Sequence, residues 1–373
     1  SLRSLRSLRH PDFPLSVIIN RMLHALVLAG GSGKRFWPLS RRASPKQLLA
    51  IAGKKPMIAE TVERLRGLVP PSRVHVLTNR ATVAAIRRAL PGVPPGQIVG
   101  EPEGRDTTAA IGLGATLISK RDPDGVMVVL PADHVIRPAA EFRKSLAAAA
   151  EAARKGGGLF VFGVKPSCPA TGYGYIRRGA KIGASRGVPV FKVDRFVEKP
   201  DLATAKHYLA SGRFLWNAGI FCWRARDILA AIAKFRPAIG ASLEKIRRGG
   251  AAALAREFRR IEKVSIDYAV MEKAPDVRVI EAAWAWDDVG SWASVGPYLP
   301  RDAAGNSSVG DFLAVESTDC TVLTDGHLVA AVGVTGLVIV RTKDATLVCR
   351  RDRAQDVKKL VDLLEAQKRA KLL

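Results

Sequence analysis

The stretch "LVLAGGSGKRFWPLS", residues 26–40, runs an apolar segment into Gly30, Gly31, Ser32 and Gly33, four residues with almost no side chain. Lys34 and Arg35 follow at once, and Lys46 comes shortly after in "SPKQLL". Bare backbone N–H groups beside cations make a cradle for phosphate, since the amides point at the anion and the cations neutralise it. Two familiar phosphate loops do not fit. A P-loop requires Gly, four residues, then Gly-Lys-Ser/Thr. Here Arg35 follows Lys34, and Leu28 stands at the first Gly position. A dinucleotide fingerprint requires a third glycine where Phe36 stands. An ordinary strand-to-helix turn also favours glycine, so the loop by itself leaves a phosphate role and a structural role open.

The elements that must position this loop follow from the apolar pattern. Strands are predicted at 25–29, 74–78, 126–130 and 159–164, with helices at 57–68, 81–90, 107–119 and 139–154 between them. In the first helix Ile58, Val62, Leu65 and Leu68 recur at helical spacing. Buried strands alternating with crossover helices imply a doubly wound parallel sheet, whose ligands sit beyond the carboxyl ends of the strands. The glycine loop lies at such an end. So does "PADH", residues 131–134, straight after the strand VMVVL.

After about residue 300 the texture changes to short β-rich runs broken by Gly, Asp and Ser, the pattern of a small all-β domain such as a β-helix fragment. A final amphipathic helix is predicted over roughly 353–371, with Val357, Leu360, Val361 and Leu364 on one face. The expected organisation is therefore 1–21 as a disordered extension or non-native tail, 22–299 as the α/β domain, and 300–373 as the β-rich domain with its helix. The tail opens on a triplet repeat, "SLRSLRSLR", and Met22 is the expected natural start.

Composition narrows the partners. The 373 residues are 47% hydrophobic and 25% charged, ordinary for a globular protein with a sizeable core. No apolar run reaches the roughly 18 residues of a spanning helix, so no membrane association is expected. Cys168, Cys222, Cys320 and Cys349 show neither metal nor disulfide spacing and fit a reducing cytoplasm. The net charge of +25 is spread over the chain without a basic stripe interleaved with aromatics. It implies a preference for anionic ligands and no nucleic-acid partner.

Further polar groups recur against strand-like flanks in "GEPEGRDTTAAI" (100–111), "TGYGYI" (171–176), "FVEKP" (196–200), "LWNAGIF" (215–221) and "WDDVGSW" (286–292). Singly, each reads as a charged or capped turn. In this order, on an alternating α/β chain, they resemble the nucleotide-sugar pyrophosphorylases. Trp37-Pro38-Leu39-Ser40 followed by "PKQ", together with "WDDVGSW", is similar to the mannose-specific branch. The resemblance runs from Leu23 to about Cys349. It implies a Rossmann-like nucleotidyltransferase domain with a mostly parallel sheet, plus a C-terminal left-handed β-helix segment.

The resemblance also implies the reaction. An oxygen of mannose 1-phosphate attacks the α-phosphorus of GTP in line, giving GDP-mannose and expelling pyrophosphate. That nucleophile is already ionised, so the barrier is repulsion between anions, met by positioning, cations and Mg²⁺ rather than by a Ser-His-Asp or Cys-His arrangement. By the same resemblance, Gly30, Gly31, Ser32, Gly33 and Lys34 wrap the nucleotide phosphates, while Arg35 and Lys46 neutralise them. Asp133 and Asp288 hold the metal and complete the catalytic set. Glu101 accepts from the guanine edge, with Arg105, Asp106 and Thr107 beside the nucleotide. Tyr173, Gly174, Glu198, Lys199, Asn217 and Asp267 line the sugar phosphate, with Lys199 on its phosphate. His134 reads as a hydrogen-bonded neighbour rather than a catalyst.

Two positions depart from the family. Asp106 stands where Asn is usual, and Asp287 where Ser is usual, so the metal position is open between Asp287 and Asp288. Rival readings are a uridylyl- or thymidylyltransferase acting on glucose 1-phosphate, and a non-catalytic nucleotide-sugar sensor. The full set of Arg35, Lys46, Asp133 and Asp288 argues against a pure binder. The oligomeric state is open, with a homodimer through the C-terminal domain as one arrangement.

Overall fold

The computed structural model describes residues 22–373; the expectations for residues 1–21 lie outside the described residues. The apolar runs form strands β1 (Leu23–Ala29), β2 (Val74–Asn79), β3 (Ile98–Glu101) and β4 (Val126–Pro131). They pair in parallel in the order β3-β2-β1-β4. Strand side chains alternate between faces. Accordingly Ala25, Val27 and Ala29 enter one core with Ile58 and Phe142, while Leu26 enters the other with Ala109 and Leu113. The helices Asp106–Arg121 and Ala139–Gly156 cover the two faces.

A short pair of strands, β5 (Val135–Arg137) with β11 (Ala285–Asp287), stands apart from the main sheet. That sheet continues through β6 (Leu159–Val164), β7 (Tyr175–Ser185), β8 (Val188–Val197), β9 (Phe214–Arg224) and β10 (Val277–Glu281). Its nine strands run β3-β2-β1-β4-β9-β6-β10-β8-β7. β9 lies antiparallel between β4 and β6, and β6–β10 is parallel. All four predicted strands lie within β1, β2, β4 and β6. The helix expected over 57–68 ends at Glu63, because the chain then tightens into i→i+3 turns ahead of Gly67, whose φ is 85°.

In the C-terminal part, β12 (Ser307–Val309), β14 (Thr321–Leu323) and β16 (Leu337–Arg341) stack in parallel, as β13 (Phe312–Val315) and β15 (Val329–Val332) do on a second face. β17 (Thr346–Arg350) closes the stack antiparallel to β16. The chain then forms the helix Val357–Ala366. Val357, Val361 and Leu364 are buried, but Leu360, expected on the same face, lies at its edge and is 41% exposed. This helix packs into one cluster with Phe36, Trp37, Met57, Val289 and Trp292, and so lies against the glycine loop.

Candidate active site

The glycine loop leaves the carboxyl end of β1 and tightens into a 3₁₀ turn at Lys34–Phe36. Gly33 has φ 63°, and a Cβ there would stand 2.6 Å from the Cβ of Lys46. No residue with a side chain allows that approach. Ser40 locks the turn by donating from Oγ to the Gly33 carbonyl at 2.6 Å. Gly30, Gly31 and Ser32 stay open to solvent, and with the Arg35 side chain they leave an open floor.

Lys46 is 6% exposed and is gripped from two elements. Its ammonium donates to Asp133 Oδ2 at 2.8 Å and to the backbone carbonyl of Asp288 at 2.7 Å. Phe36 packs against the same ammonium. Burial opposes ionisation of Asp133, but Lys46 and His134 outweigh it and hold the carboxyl below its ordinary range. Asp288 is pushed the other way, chiefly by burial and also by the charges of Asp287 and Asp133. Ser32, Gly33, Arg35, Lys46, Asp133 and Asp288 line one cleft of about 350 Å³.

Asp287 has its carboxylate engaged elsewhere. Oδ1 accepts from the Val289 N–H at 2.6 Å and Oδ2 from the Tyr298 hydroxyl at 2.8 Å. Val289 is β-branched yet has φ 45°, a strained conformation that must be held from outside. Asp287 thus secures the turn that presents Asp288. His134 accepts through Nδ1 from the Trp286 indole at 3.0 Å, and burial lowers its pKa to about 4, so it is a neutral neighbour.

Tyr173 joins this cleft to a second cluster. Its hydroxyl donates to Asp288 Oδ1 at 2.9 Å, and its ring packs on Trp216 and Trp286. Burial and the Asp288 charge keep the phenol protonated. Beside it, Asn217 donates from Nδ2 to Asp267 Oδ1 at 3.0 Å, and Lys199 donates to Glu198 Oε1 at 2.8 Å. Glu198 Oε2 is buried with no partner. Burial and the Glu198 charge push the Asp267 carboxyl well above the usual range. At Gly174 the backbone passes so close to the Glu198 carboxylate that a Cβ would stand 2.3 Å from Oε2, so any larger residue displaces that side chain. Glu198 Oε2 is thus a buried acceptor without a partner among the described residues, beside the Lys199 ammonium and the Asn217 amide.

The remaining sequence-predicted residues separate into different roles. Glu101 ends β3 beneath Gly30, 6% exposed, and burial raises its pKa to about 7. Asp106, the first residue of the helix Asp106–Arg121, has φ 64°, and its Oδ1 accepts the Thr107 N–H at 2.7 Å. Thr107 Oγ1 accepts from the Ile266 N–H at 2.8 Å, which anchors the segment leading into Asp267. Arg105 pairs with Glu103 at 2.9 Å. Lys34 lines the cleft, but its ammonium donates to Asp362 at 2.9 Å and Glu365 at 3.0 Å on the C-terminal helix. The sequence reading missed Lys358, which lines the cleft from that helix. Only the amphipathic spacing of 357, 361 and 364 hints at where this helix docks.

A mixed α/β sheet with a cationic, carboxylate-lined cleft at its strand ends defines a nucleotidyl-transferring enzyme. The chain belongs to the nucleotidyl transferase family, whose model matches residues 24–298. Residues 310–364 match the MannoseP isomerase/GMP-like beta-helix domain. Over 360 residues the chain is 42% identical to the mannose-1-phosphate guanylyltransferase of Klebsiella pneumoniae, covering 94% of this chain and 75% of that protein. It is 41% identical over 354 residues to the xanthan biosynthesis protein XanB of Xanthomonas campestris, covering 92% of this chain and 74% of that protein. A crystal structure of mannose-1-phosphate geranyltransferase from Thermus thermophilus superposes with a TM-score of 0.84 at 36% identity, covering 92% of this chain and 99% of that one.

Proposed function

We propose that this chain is a mannose-1-phosphate guanylyltransferase, transferring the guanylyl group of GTP to mannose 1-phosphate with release of pyrophosphate. The observation that carries the reading is the Tyr173–Asp288 hydrogen bond. It joins the cleft lined by Arg35, Lys46 and Asp133 to the polar cluster of Glu198, Asn217 and Asp267, which this reading gives to the nucleotide phosphates and to the sugar. The two anionic substrates meet at that bond. The relatives named for this activity support the same assignment.

In this reading GTP lays its phosphates along Gly30–Gly33, and its guanine N1–H and N2–H₂ donate to the Glu101 carboxylate. Glu198, Asn217 and Asp267 fix the mannose hydroxyls. Lys199 turns from Glu198 to the sugar phosphate. An ionised oxygen of that phosphate then attacks the α-phosphorus in line, the bond to the bridging oxygen breaks, and pyrophosphate leaves. No proton is removed from the nucleophile, so no general base is needed. Fixed cations gain most where charge on the attacking and leaving oxygens is redistributed, which assigns Arg35 and Lys46 to the transition state.

Nucleotidyltransferases of this family use a divalent metal. Asp133 and Asp288 fit Mg²⁺, because both are carboxylates lining one cleft and a cation would relieve the repulsion that the Asp133 charge exerts on Asp288. Bound, it would supply charge stabilisation between the two phosphate groups. Asp287 is not assigned to it, its carboxylate being engaged by Val289 and Tyr298. Free thiols at Cys168, Cys222, Cys320 and Cys349 support a reducing cytoplasm as the place of the reaction.

The test is pyrophosphate release with four nucleoside triphosphates crossed against mannose and glucose 1-phosphates. The expected result is dominant turnover for GTP with mannose 1-phosphate. Preferred turnover of UTP or dTTP with glucose 1-phosphate would overturn the assignment, and no turnover with any pair would favour a sensor.

A further inference from the structure

The phosphate cleft is not walled by the α/β domain alone. The helix Val357–Ala366 buries Val357, Val361 and Leu364 against Phe36, Trp37 and Trp292. Its acids Asp362 and Glu365 hold Lys34, and Glu365 also accepts from Arg42 at 3.3 Å. The helix is therefore fastened to the glycine loop by packing and by ion pairs. Lys358, in its first turn, reaches the same cleft that Arg35, Lys46 and Asp133 line.

The charges in that cleft are unequal in availability. Lys34 is neutralised by two carboxylates, and Lys46 by Asp133. Arg35, among the described residues, meets only the Gly290 carbonyl, at 3.5 Å. Among the described residues Lys358 makes no ion pair, whereas its neighbour Lys359 is paired with Asp356 at 2.7 Å. The uncommitted cations facing the cleft are thus Arg35 and Lys358. An incoming triphosphate brings several negative charges, and uncommitted cations bind them without first breaking a bond within the protein.

Position decides which phosphates Lys358 meets. The sugar cluster lies on the Tyr173 side of Asp288, whereas the helix that carries Lys358 into the cleft is fastened to the Lys34–Phe36 turn. In-line displacement puts the attacking and leaving oxygens on opposite sides of phosphorus. We infer that Lys358, carried into the site by the C-terminal helix, binds the β- and γ-phosphates of the nucleotide, the part that leaves as pyrophosphate. The C-terminal domain then supplies a substrate-binding group as well as a scaffold. This inference rests on the nucleotidyl-transfer reading of the cleft, though not on the choice of guanine or mannose.

The test uses pyrophosphate itself as probe, titrated calorimetrically in Mg²⁺ buffer into the full chain and into its K358A, K358R and K359A variants. Loss of one charge-assisted contact predicts about tenfold weaker binding for K358A. K358R is expected to recover most of the affinity, and K359A to match the original chain. The salt dependence of binding should also be shallower in K358A, because one cation fewer is screened. Mannose 1-phosphate affinity should not move, a split that general damage to the helix would not produce. Unchanged pyrophosphate affinity in K358A, or no binding by the original chain, overturns the inference. A wrong choice of base or sugar appears in the substrate panel and leaves this titration unaffected.

Discussion

The ammonium of Lys46 stands 2.8 Å from Asp133 Oδ2, and the same ammonium donates to the backbone carbonyl of Asp288 at 2.7 Å. One buried cation thus ties the segment after β4 to the one after β11, and with them the two carboxylates assigned to the metal. The lysine comes from "SPKQLL", while its two partners lie 87 and 242 residues further along the chain.

That geometry makes Lys46→Met informative. The substitution keeps the apolar stem and removes the charge, so turnover should fall by about two to three orders of magnitude, the usual loss for a positioned transition-state charge. Without Lys46, burial dominates at Asp133 and its carboxyl pKa rises. Protonation then begins at a higher pH, and the acid limb of the pH–rate profile moves upward. A lowered Tm with that limb unmoved would make Lys46 structural only.

Asp287 and Asp288 are adjacent and should respond in opposite ways. Asp288→Asn should abolish most turnover while the protein stays folded. Asp287→Asn keeps an oxygen for the Val289 N–H and a polar partner for Tyr298, so turnover should remain within a few-fold of the original. Asp287→Ala should lower Tm, because the strained turn at Val289 loses its support at a cost of about 1–3 kcal/mol. Loss of activity in Asp287→Asn with near-normal Asp288→Asn would move the metal ligand by one residue.

The guanine contact proposed for Glu101 should depend on pH. Burial places its pKa at about 7, and only the carboxylate form accepts both guanine N–H groups. As pH falls below 7 the residue protonates and presents a donor to donors. GDP-mannose affinity should then weaken by up to about tenfold per pH unit. Glu101→Gln should flatten this dependence and narrow the preference for guanine over adenine. Calorimetric titration of GDP-mannose across pH checks both, and an affinity insensitive to pH would remove Glu101 from the base site.

Much of this site is legible in the sequence because strand ends are. The run LVLA followed by glycines, and VMVVL followed by "PADH", mark two carboxyl ends of parallel strands, which face one cleft. What the sequence does not carry is pairing at long range. Lys34 stands in the glycine loop and reads as a phosphate ligand, yet partners 328 and 331 residues away hold its ammonium. Lys358 reads as one surface lysine among many until its helix is docked. The doubled acid at 287 and 288 is likewise ambiguous in sequence, since only the hydrogen bonds of Val289 and Tyr298 distinguish the two. Leu360 shows the limit of periodicity: it shares the apolar stripe of Val357, Val361 and Leu364, yet at the edge of that stripe it is left exposed while they are buried.

The proposed transfer is direct between two anions, with no group of the protein bonded to phosphorus along the way. The stereochemistry of a phosphorothioate reports this most directly. A single diastereomer of GTP carrying sulfur on the α-phosphorus would be turned over with mannose 1-phosphate, and the configuration of the GDP-mannose product determined by NMR. One in-line displacement inverts the centre, so inversion is the predicted result. Retention would require two displacements through a bond between phosphorus and the protein, and would contradict the account of Arg35, Lys46, Asp133 and Asp288 as a site of positioning and charge alone.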